Sequence, residues 1–415
     1  MKFVKSWGRL GMTFDIKQVQ LKDLLLGPIR NGLTKPKAIR GRGVPMIAMG
    51  EIFANNRIFS FPMERVPVTD KELSSSSIYE GDLLFARQSL VLEGAGKCCI
   101  VKEVNEPTVF ESHLIRVRLD NSKALPDYIY YYFNSYQGKE NIKTIVEQVA
   151  AAGIRGRDLV NLYIPIPPIT VQQQILQVLM SIDDKIAINT TINENLEQQA
   201  QAIFKSWFGA DIENLNSSNC KSLGELVTSV DNRGKTPPLS NEKTEYPIID
   251  VRALSGSGRI INFSNCTKYV EEETYNNWFR NGHPKDYDIL ISTVGSLAEM
   301  KIYLGNIGCI AQNVVGFRSK GLSPIYLYQY LNYIRKELVS YNIGSVQPSI
   351  KVTHIIKHPI FIPENDKIEK FDMLIKDYTL KIYNNCCENK RLVELRDTLL
   401  PKLMNGEIDV SEVKI

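Results

Sequence analysis

The chain has 415 residues, a hydrophobic content of 43% and a formal net charge of +4. That length allows two or three domains, each able to bury its own core. The mild charge excludes a chain dominated by one sign and leaves nucleic-acid binding to be decided by local patches. The seven cysteines include the adjacent pairs Cys98–Cys99 and Cys386–Cys387 but no CxxC. This points to a reduced, cytoplasmic protein without a disulfide framework or zinc ribbon. No apolar run approaches the roughly 20 residues of a membrane-spanning helix, so no membrane association is expected.

In chain order, the opening MKFVKSWGRLGM is basic, lacks an apolar stretch and shows little periodicity. It reads as an N-terminal extension over residues 1–13, with Met12 as a candidate start. Residues 14–168 hold short strands such as DLLFAR, followed by a Tyr-rich helix, PDYIYYYFNSY. A Pro-Pro step then opens a helix predicted over residues 169–209, far longer than the usual three or four turns. From Ala210 the polar ADIENLNSSNCKS interrupts the helical pattern and reads as a linker. Residues 210–362 again carry strands, such as DILIST, and a Tyr-rich helix, PIYLYQYLNYI; residues 363–415 hold a second long helix and a tail. The fold class is mixed α/β (α+β).

The chain therefore reads twice, with a period of about 200 residues. LKDLLLGPIRNG from Leu21 matches LGELVTSVDNRG from Leu223, EGDLLFARQS from Glu80 matches DYDILISTVG from Asp286, and LVNLYIPIPP from Leu159 matches IIKHPIFIPE from Ile355. The long helices repeat too. In the first, Ile175, Leu179, Ile182, Ile186, Asn189, Asn193, Leu196, Ala200, Ile203 and Trp207 alternate steps of four and three, a heptad seam. About 196 positions on, the same steps give Phe371, Ile375, Tyr378, Ile382, Asn385, Asn389, Leu392, Arg396, Leu399 and Leu403.

Each Ile or Leu buried in such a seam stabilises by roughly 1.5–3 kcal/mol, so the stripe needs a cover. Either each helix packs on its own domain or the two helices pair with each other. Paired antiparallel, they would bring Asn189 and Asn193 against Asn389 and Asn385 in a polar layer that lowers stability but fixes register. Such a pair would be a pseudo-two-fold rod, roughly 57 Å long for ~38 residues, with a domain at each end. Two readers held at a fixed spacing suit duplex DNA, whose half-sites recur about every 34 Å.

At IPIPPITVQQQILQVLMSIDDKIAINTTINENLEQQAQAIFKSWF, starting at Ile164, the chain resembles the specificity subunit of Type I restriction-modification enzymes. The GDLLFAR strand at Gly81 and LRDTLLPKLMNGEI near the C-terminus carry the same resemblance, which extends from about Phe14 to Asp409. The second copy departs from the pattern, with IPENDKIEKF where the first has PPITVQQQIL. The resemblance implies two target recognition domains, each reading half of a bipartite site in double-stranded DNA. It further implies spacer helices that act as a ruler and dock two modification (methyltransferase) subunits. Those partners bring S-adenosylmethionine and methylate adenine, restriction subunits join in some complexes, and the specificity subunit itself is not catalytic.

DNA contacts are expected from loops with Lys and Arg for phosphates and with Arg, Gln, Asn or Ser for base edges. In the first half these are Lys35, Lys37, Arg40 and Arg42 in one Gly/Pro-rich loop, Arg87 and Gln88 just past a strand, and Arg155 and Arg157. The matching places in the second half carry Arg233 and Lys235, the STVGS stretch after Ile291, and Gln347 with Lys351. The tyrosine clusters are read as core rather than base-stacking platforms.

Signs of catalysis are weak. GAGKC at Gly94 has Cys98 where a P-loop needs Ser or Thr, and its first glycine position is Val91. No Asn-Pro-Pro-Tyr/Phe and no strand-linked GxGxxG occurs. His354 and His358 have ligand-like spacing but no carboxylate nearby. Asp183 and Asp184 are adjacent on a helix, cannot face each other, and are expected on a solvated face. No metal or bound cofactor is expected. The competing readings are a two-module scaffold that binds proteins and an enzyme with unrecognised catalytic residues. Basic loops recurring at equivalent places in the two halves favour DNA.

Overall fold

The computed structural model describes residues 15–148, 152–215, 219–344, 346–408 and 410. The N-terminal extension, Met12 and residues 411–415 lie outside these, as does the middle of the linker at 216–218. Two compact units emerge. One combines Met1–Asp184 with Leu392–Ile415, and the other is Lys185–Arg391.

In the first unit, the runs LLFA, CCIV and LIRV form Leu83–Ala86, Cys98–Val101 and Leu114–Val117, all buried along their length. Continuous apolar runs of this kind suit strands covered on both faces. They lie in a five-stranded sheet in the order Arg30–Asn31, Leu114–Val117, Leu83–Ala86, Cys98–Val101, Arg57–Ile58. Neighbours are antiparallel except the last pair. The Tyr-rich helix Pro126–Asn134 starts on a proline, which suits the first turn, and buries every side chain from Tyr128 to Phe133. Tyr128 Oη donates to the Pro165 carbonyl at 3.0 Å, so the phenol is satisfied inside the core.

Strand Lys17–Gln20 pairs antiparallel with Tyr163–Ile166, directly before the helix Ile169–Glu213. Gln172 in the first turn of that helix is fully buried. Its Oε1 accepts from the Leu125 N–H at 2.9 Å and its Nε2 donates to the Pro167 carbonyl at 2.9 Å. Ile175, Leu176 and Leu179 share one core with Tyr128–Phe133 and with Leu400, Leu403 and Met404 of the second long helix, Asn365–Met404.

The second unit repeats the plan. A four-stranded sheet runs in the order Val227–Val230, Val314–Ser319, Ile289–Ser292, Met300–Ile302, all antiparallel. Cys220–Ser222 pairs with Pro359–Phe361 ahead of the second long helix. Tyr326 Oη donates to the Phe361 carbonyl at 2.9 Å, the counterpart of Tyr128 and Pro165. A second repeated device is a carboxylate just before a strand gripped by an arginine at the end of the neighbouring one. Asp82 takes Arg118 through two bonds of 2.7 Å, and Asp288 takes Arg318 at 3.0 and 2.7 Å. Paired bonds of this type fix orientation as well as charge.

The first long helix continues four residues past the expected end at 209, through Glu213. Polarity from Ala210 onward predicts a linker there. Phe208 and Ile212 are nevertheless buried in the second unit's core, and that packing carries the helix on.

Candidate nucleic-acid interface

In the second unit, four loops converge at one end of the sheet. The Thr293 N–H donates to the Asn313 carbonyl at 2.8 Å, the Ile350 N–H to the Thr293 carbonyl at 2.9 Å, and the Gly295 N–H to the Pro348 carbonyl at 2.9 Å. Arg233 reaches Thr293 Oγ1 at 3.5 Å while paired with Asp231 at 2.6 Å. Gln312 donates from Nε2 to Thr236 Oγ1. The loops around residues 231–237, 293–298, 312–313, 343–344 and 346–351 therefore form one surface. Lys235, Gln347 and Lys351 are exposed on it.

The first unit assembles the same frame from different side chains. The Arg87 N–H donates to the His113 carbonyl at 2.8 Å and the Ile154 N–H to the Arg87 carbonyl at 2.9 Å. These are the counterparts of Thr293–Asn313 and Ile350–Thr293. Ser112 N–H donates to the Leu33 carbonyl at 3.0 Å, which joins the basic loop to the sheet end. A Cβ at Gly32 would collide with the Phe110 and Glu111 carbonyl oxygens, so only glycine lets the loop approach there.

The expected contact residues divide into two groups. Lys37, Arg42, Arg87, Lys235 and Lys351 are exposed and carry no ion pair among the described residues. Gln88 is exposed on the short strand Gln88–Ser89, opposite Gly153. Gln347 is exposed as well, and the remaining cations each lie against a carboxylate. Lys35 pairs with Glu72 at 2.8 Å, and Arg40 with Glu64 at 2.7 Å and with the Lys35 carbonyl. Arg155 pairs with Glu147 at 2.5 Å, Arg157 is 3.6 Å from Asp158, and Arg233 holds Asp231. Lys35 and Arg40 thus shape the basic loop, while Lys37 and Arg42 offer their charge to solvent. Thr293 falls in the expected STVGS stretch, but sequence reasoning did not single out Ser112, His113, Thr236, Gln312 or Asn313. Uncharged loop residues carry no periodic or charge signal.

The helix seam is built within each unit. In the first, Ile175 and Leu179 are wholly buried and Ile182 nearly so. In the second, Ile186 and Leu196 are half-buried, while Ile375 and Ile382 are buried. Asn189 donates to Asn389 Oδ1 at 2.9 Å and to Glu388 at 2.8 Å, and Asn385 donates to Asn193 Oδ1 at 2.8 Å. Residues rising in number on one helix meet residues falling on the other, so the pairing is antiparallel. Tyr378 is half-buried, with its hydroxyl on Gln199 at 3.2 Å; the neighbouring Thr379 is the residue that is fully enclosed. Leu392 is half-buried at the unit boundary.

Asp183 does not lie on a solvated face. It is 9% exposed and joins Arg57 at 2.6 Å and Arg396 at 2.8 Å, and it accepts from Tyr131 Oη at 2.5 Å. Burial opposes the Arg57 charge, but Tyr131, Asp183 and Tyr130 outweigh it and raise the Arg57 pKa. Asp184 is exposed. The second unit has an equivalent arginine, Arg259, fully buried. Its Nε holds Glu197 at 2.7 Å, its Nη1 donates to Thr379 at 2.7 Å, and its guanidinium lies 5.5 Å from the Tyr328 ring centre. Each globular part thus sends one arginine into its own stretch of helix pair. The spacing between these partners in sequence hid both contacts.

The weak catalytic motifs lead nowhere in the structure. Lys97 of GAGKC donates to the Phe53 carbonyl at 3.0 Å and Cys98 lies inside a strand. His358 is buried against Tyr341 Oη at 2.8 Å, while His354 is exposed. Among the described residues no cluster of His, Cys, Asp or Glu is placed to hold a metal ion, and no helix is long and apolar enough to cross a membrane.

Two α/β units with like loop surfaces and an antiparallel helix seam define a duplicated specificity-domain architecture. The Type I restriction modification DNA specificity domain matches residues 15–198 and again 217–382, and the chain belongs to that family. The MjaIX specificity subunit of Methanocaldococcus jannaschii is 25% identical over 98% of this chain and 96% of its own length. The HindI specificity subunit of Haemophilus influenzae is 26% identical over 81% of this chain and 88% of its own. In fold, the chain is similar to the S subunit of a Type I system from M. genitalium, with a TM-score of 0.54, 15% identity and coverage of 95% and 98%.

Proposed function

We propose that this chain is the DNA-specificity subunit of a Type I restriction-modification complex. Each unit reads one half of a bipartite duplex target with its convergent loops. The observation that carries this reading is the repeated loop frame, the Arg87–Ile154 link and its counterpart Thr293–Ile350, with an exposed cation beside each: Arg87 in the first unit and Lys351 in the second. Unpaired cations neutralise phosphates and release counterions, which supplies affinity without sequence preference. Exposed polar side chains between them supply base readout.

The subunit is a targeting component rather than a catalyst. The helix pair sets the gap between half-sites and docks two modification subunits, which carry S-adenosylmethionine; restriction subunits join in some such complexes. It works on chromosomal and invading DNA in the cytoplasm. The test is adenine-methylation mapping of host DNA by long-read sequencing, with and without this gene. A bipartite motif of fixed gap that disappears on deletion supports the reading. An unchanged methylation pattern in cells where the modification subunit is present and active refutes it.

A further inference from the structure

The second unit holds one exposed side chain in a conformation that its residue type disfavours. Gln312 has φ 57°, in the left-handed region, and is exposed. Gly, Asn and Asp enter that region more readily; Gln gains no such ease. Backbone outliers of this kind persist where the surroundings enforce them, and they cluster at working sites. Here the surroundings are rigid. Gln312 turns the corner between Cys309–Ile310, paired in parallel with Ile248–Ile249, and Val314–Ser319 within the main sheet. Ala311 and Val314 on either side are buried, and the Asn313 carbonyl is tied to the Thr293 N–H.

The side chain is oriented as well. Its Nε2 donates one hydrogen to Thr236 Oγ1 in the neighbouring basic loop. Among the described residues the second Nε2 hydrogen and Oε1 have no protein partner, and the residue is exposed. A donor and an acceptor side by side on a fixed amide match the major-groove edge of adenine, with Nε2 donating to N7 and Oε1 accepting from the N6 amino group. We infer that Gln312, oriented by Thr236, reads an adenine in the half-site bound by the second unit. The inference rests on the proposed function. The position equivalent to Gln312 in the first unit is Ser112, next to His113, whose carbonyl stands where that of Asn313 does. A shorter hydroxyl cannot make the same paired contact, so the two halves read unlike bases from one frame.

The test uses the full complex in cells, with the methylated motif mapped for wild type, Gln312→Ala, Gln312→Glu, Gln312→Gly and Thr236→Val. The wild type should show an adenine at one position of one half-site. Gln312→Ala should relax that position alone, lowering discrimination roughly ten- to hundredfold while the other half-site stays intact. Gln312→Glu should move the preference toward cytosine, whose amino group a carboxylate accepts from. Thr236→Val should relax the same position less. Gln312→Gly suits the left-handed backbone and secures a folded subunit without the amide, with the same relaxation expected. An unchanged motif in Gln312→Ala and Gln312→Gly would overturn the inference while leaving the proposed function standing. So would loss of methylation at every site by a folded Gln312→Gly subunit, which would make Gln312 an assembly residue. Absence of any bipartite motif in the wild type would instead overturn the proposed function itself.

Discussion

Replacing Asp183 by Ala removes the shared anion from two guanidinium groups and the acceptor from a buried phenol. Arg57, Arg396 and Tyr131 all lose this carboxylate at once, leaving Arg57 on the Tyr131 hydroxyl and Arg396 on Asp397. Breaking a buried ion pair from one side costs about 3–5 kcal/mol, because the remaining charge is stranded. Here the Arg57 and Arg396 side chains keep 22% and 27% of their surface in contact with solvent, and water offsets part of the loss. A cost of about 2–4 kcal/mol follows. For a unit of this size that corresponds to a melting temperature lower by about 4–15 °C. Calorimetric unfolding of the purified subunit reads the shift. A double-mutant cycle with Arg396→Met should return a coupling of about 0.5–3 kcal/mol, since the two side chains touch. A change within about 0.5 kcal/mol, the range of ordinary surface substitutions, would refute the reasoning and return Asp183 to a solvated face.

Replacing Asn189, Asn193, Asn385 and Asn389 together by Leu, so that no buried amide is left without its partner, should raise the unfolding temperature while loosening register, seen as lost uniformity of amide signals along the helices; a lower melting temperature would contradict the polar layer. Adding one heptad to both long helices near Asn189 and Asn389 lengthens each by roughly 10 Å and should widen the methylated gap by about three base pairs; an unchanged gap would remove the ruler. Lys37→Ala with Arg42→Ala should weaken DNA binding alike for all sequences and flatten the salt dependence by about two phosphate contacts. Burial, opposed by Glu299 and Glu197 and reinforced by Arg335, brings the Lys301 ammonium down to about 8. Its folded pKa lies below its unfolded one, so the unfolded chain binds more protons between the two and stability rises with pH from about 8 toward 10. Lys301→Met should flatten that rise in a denaturant series across pH.

The duplication, the strands and the heptad seam are visible in the sequence because each is a local pattern. Ile175, Leu179, Ile375 and Ile382 recur at steps that a helix turns into one stripe, and that stripe is buried. The loops were legible as charge but not as architecture. Lys35 and Lys37 look alike in sequence, yet one is spent on Glu72 and the other is exposed. Asp183 was opaque for the same reason. Its i,i+1 relation to Asp184 correctly separates the two side chains, but Arg57 and Arg396 come from 126 residues before and 213 after. Gln312 has no sequence signal at all, since its meaning lies in a dihedral angle and in one threonine from another loop.

The division of the chain also sets an order of events at the ribosome. Lys185–Arg391 is one uninterrupted stretch, whereas the other unit is split around it. The first unit's core includes Leu400, Leu403 and Met404, which are synthesised only after every residue of the second. Nascent domains usually mature from the N-terminus onward. Here the later-starting unit can close first, while Ile175 and Leu179 wait without Leu400, Leu403 and Met404 to complete their cover. A premature stop within the second long helix would therefore damage the half of the protein that was translated earliest.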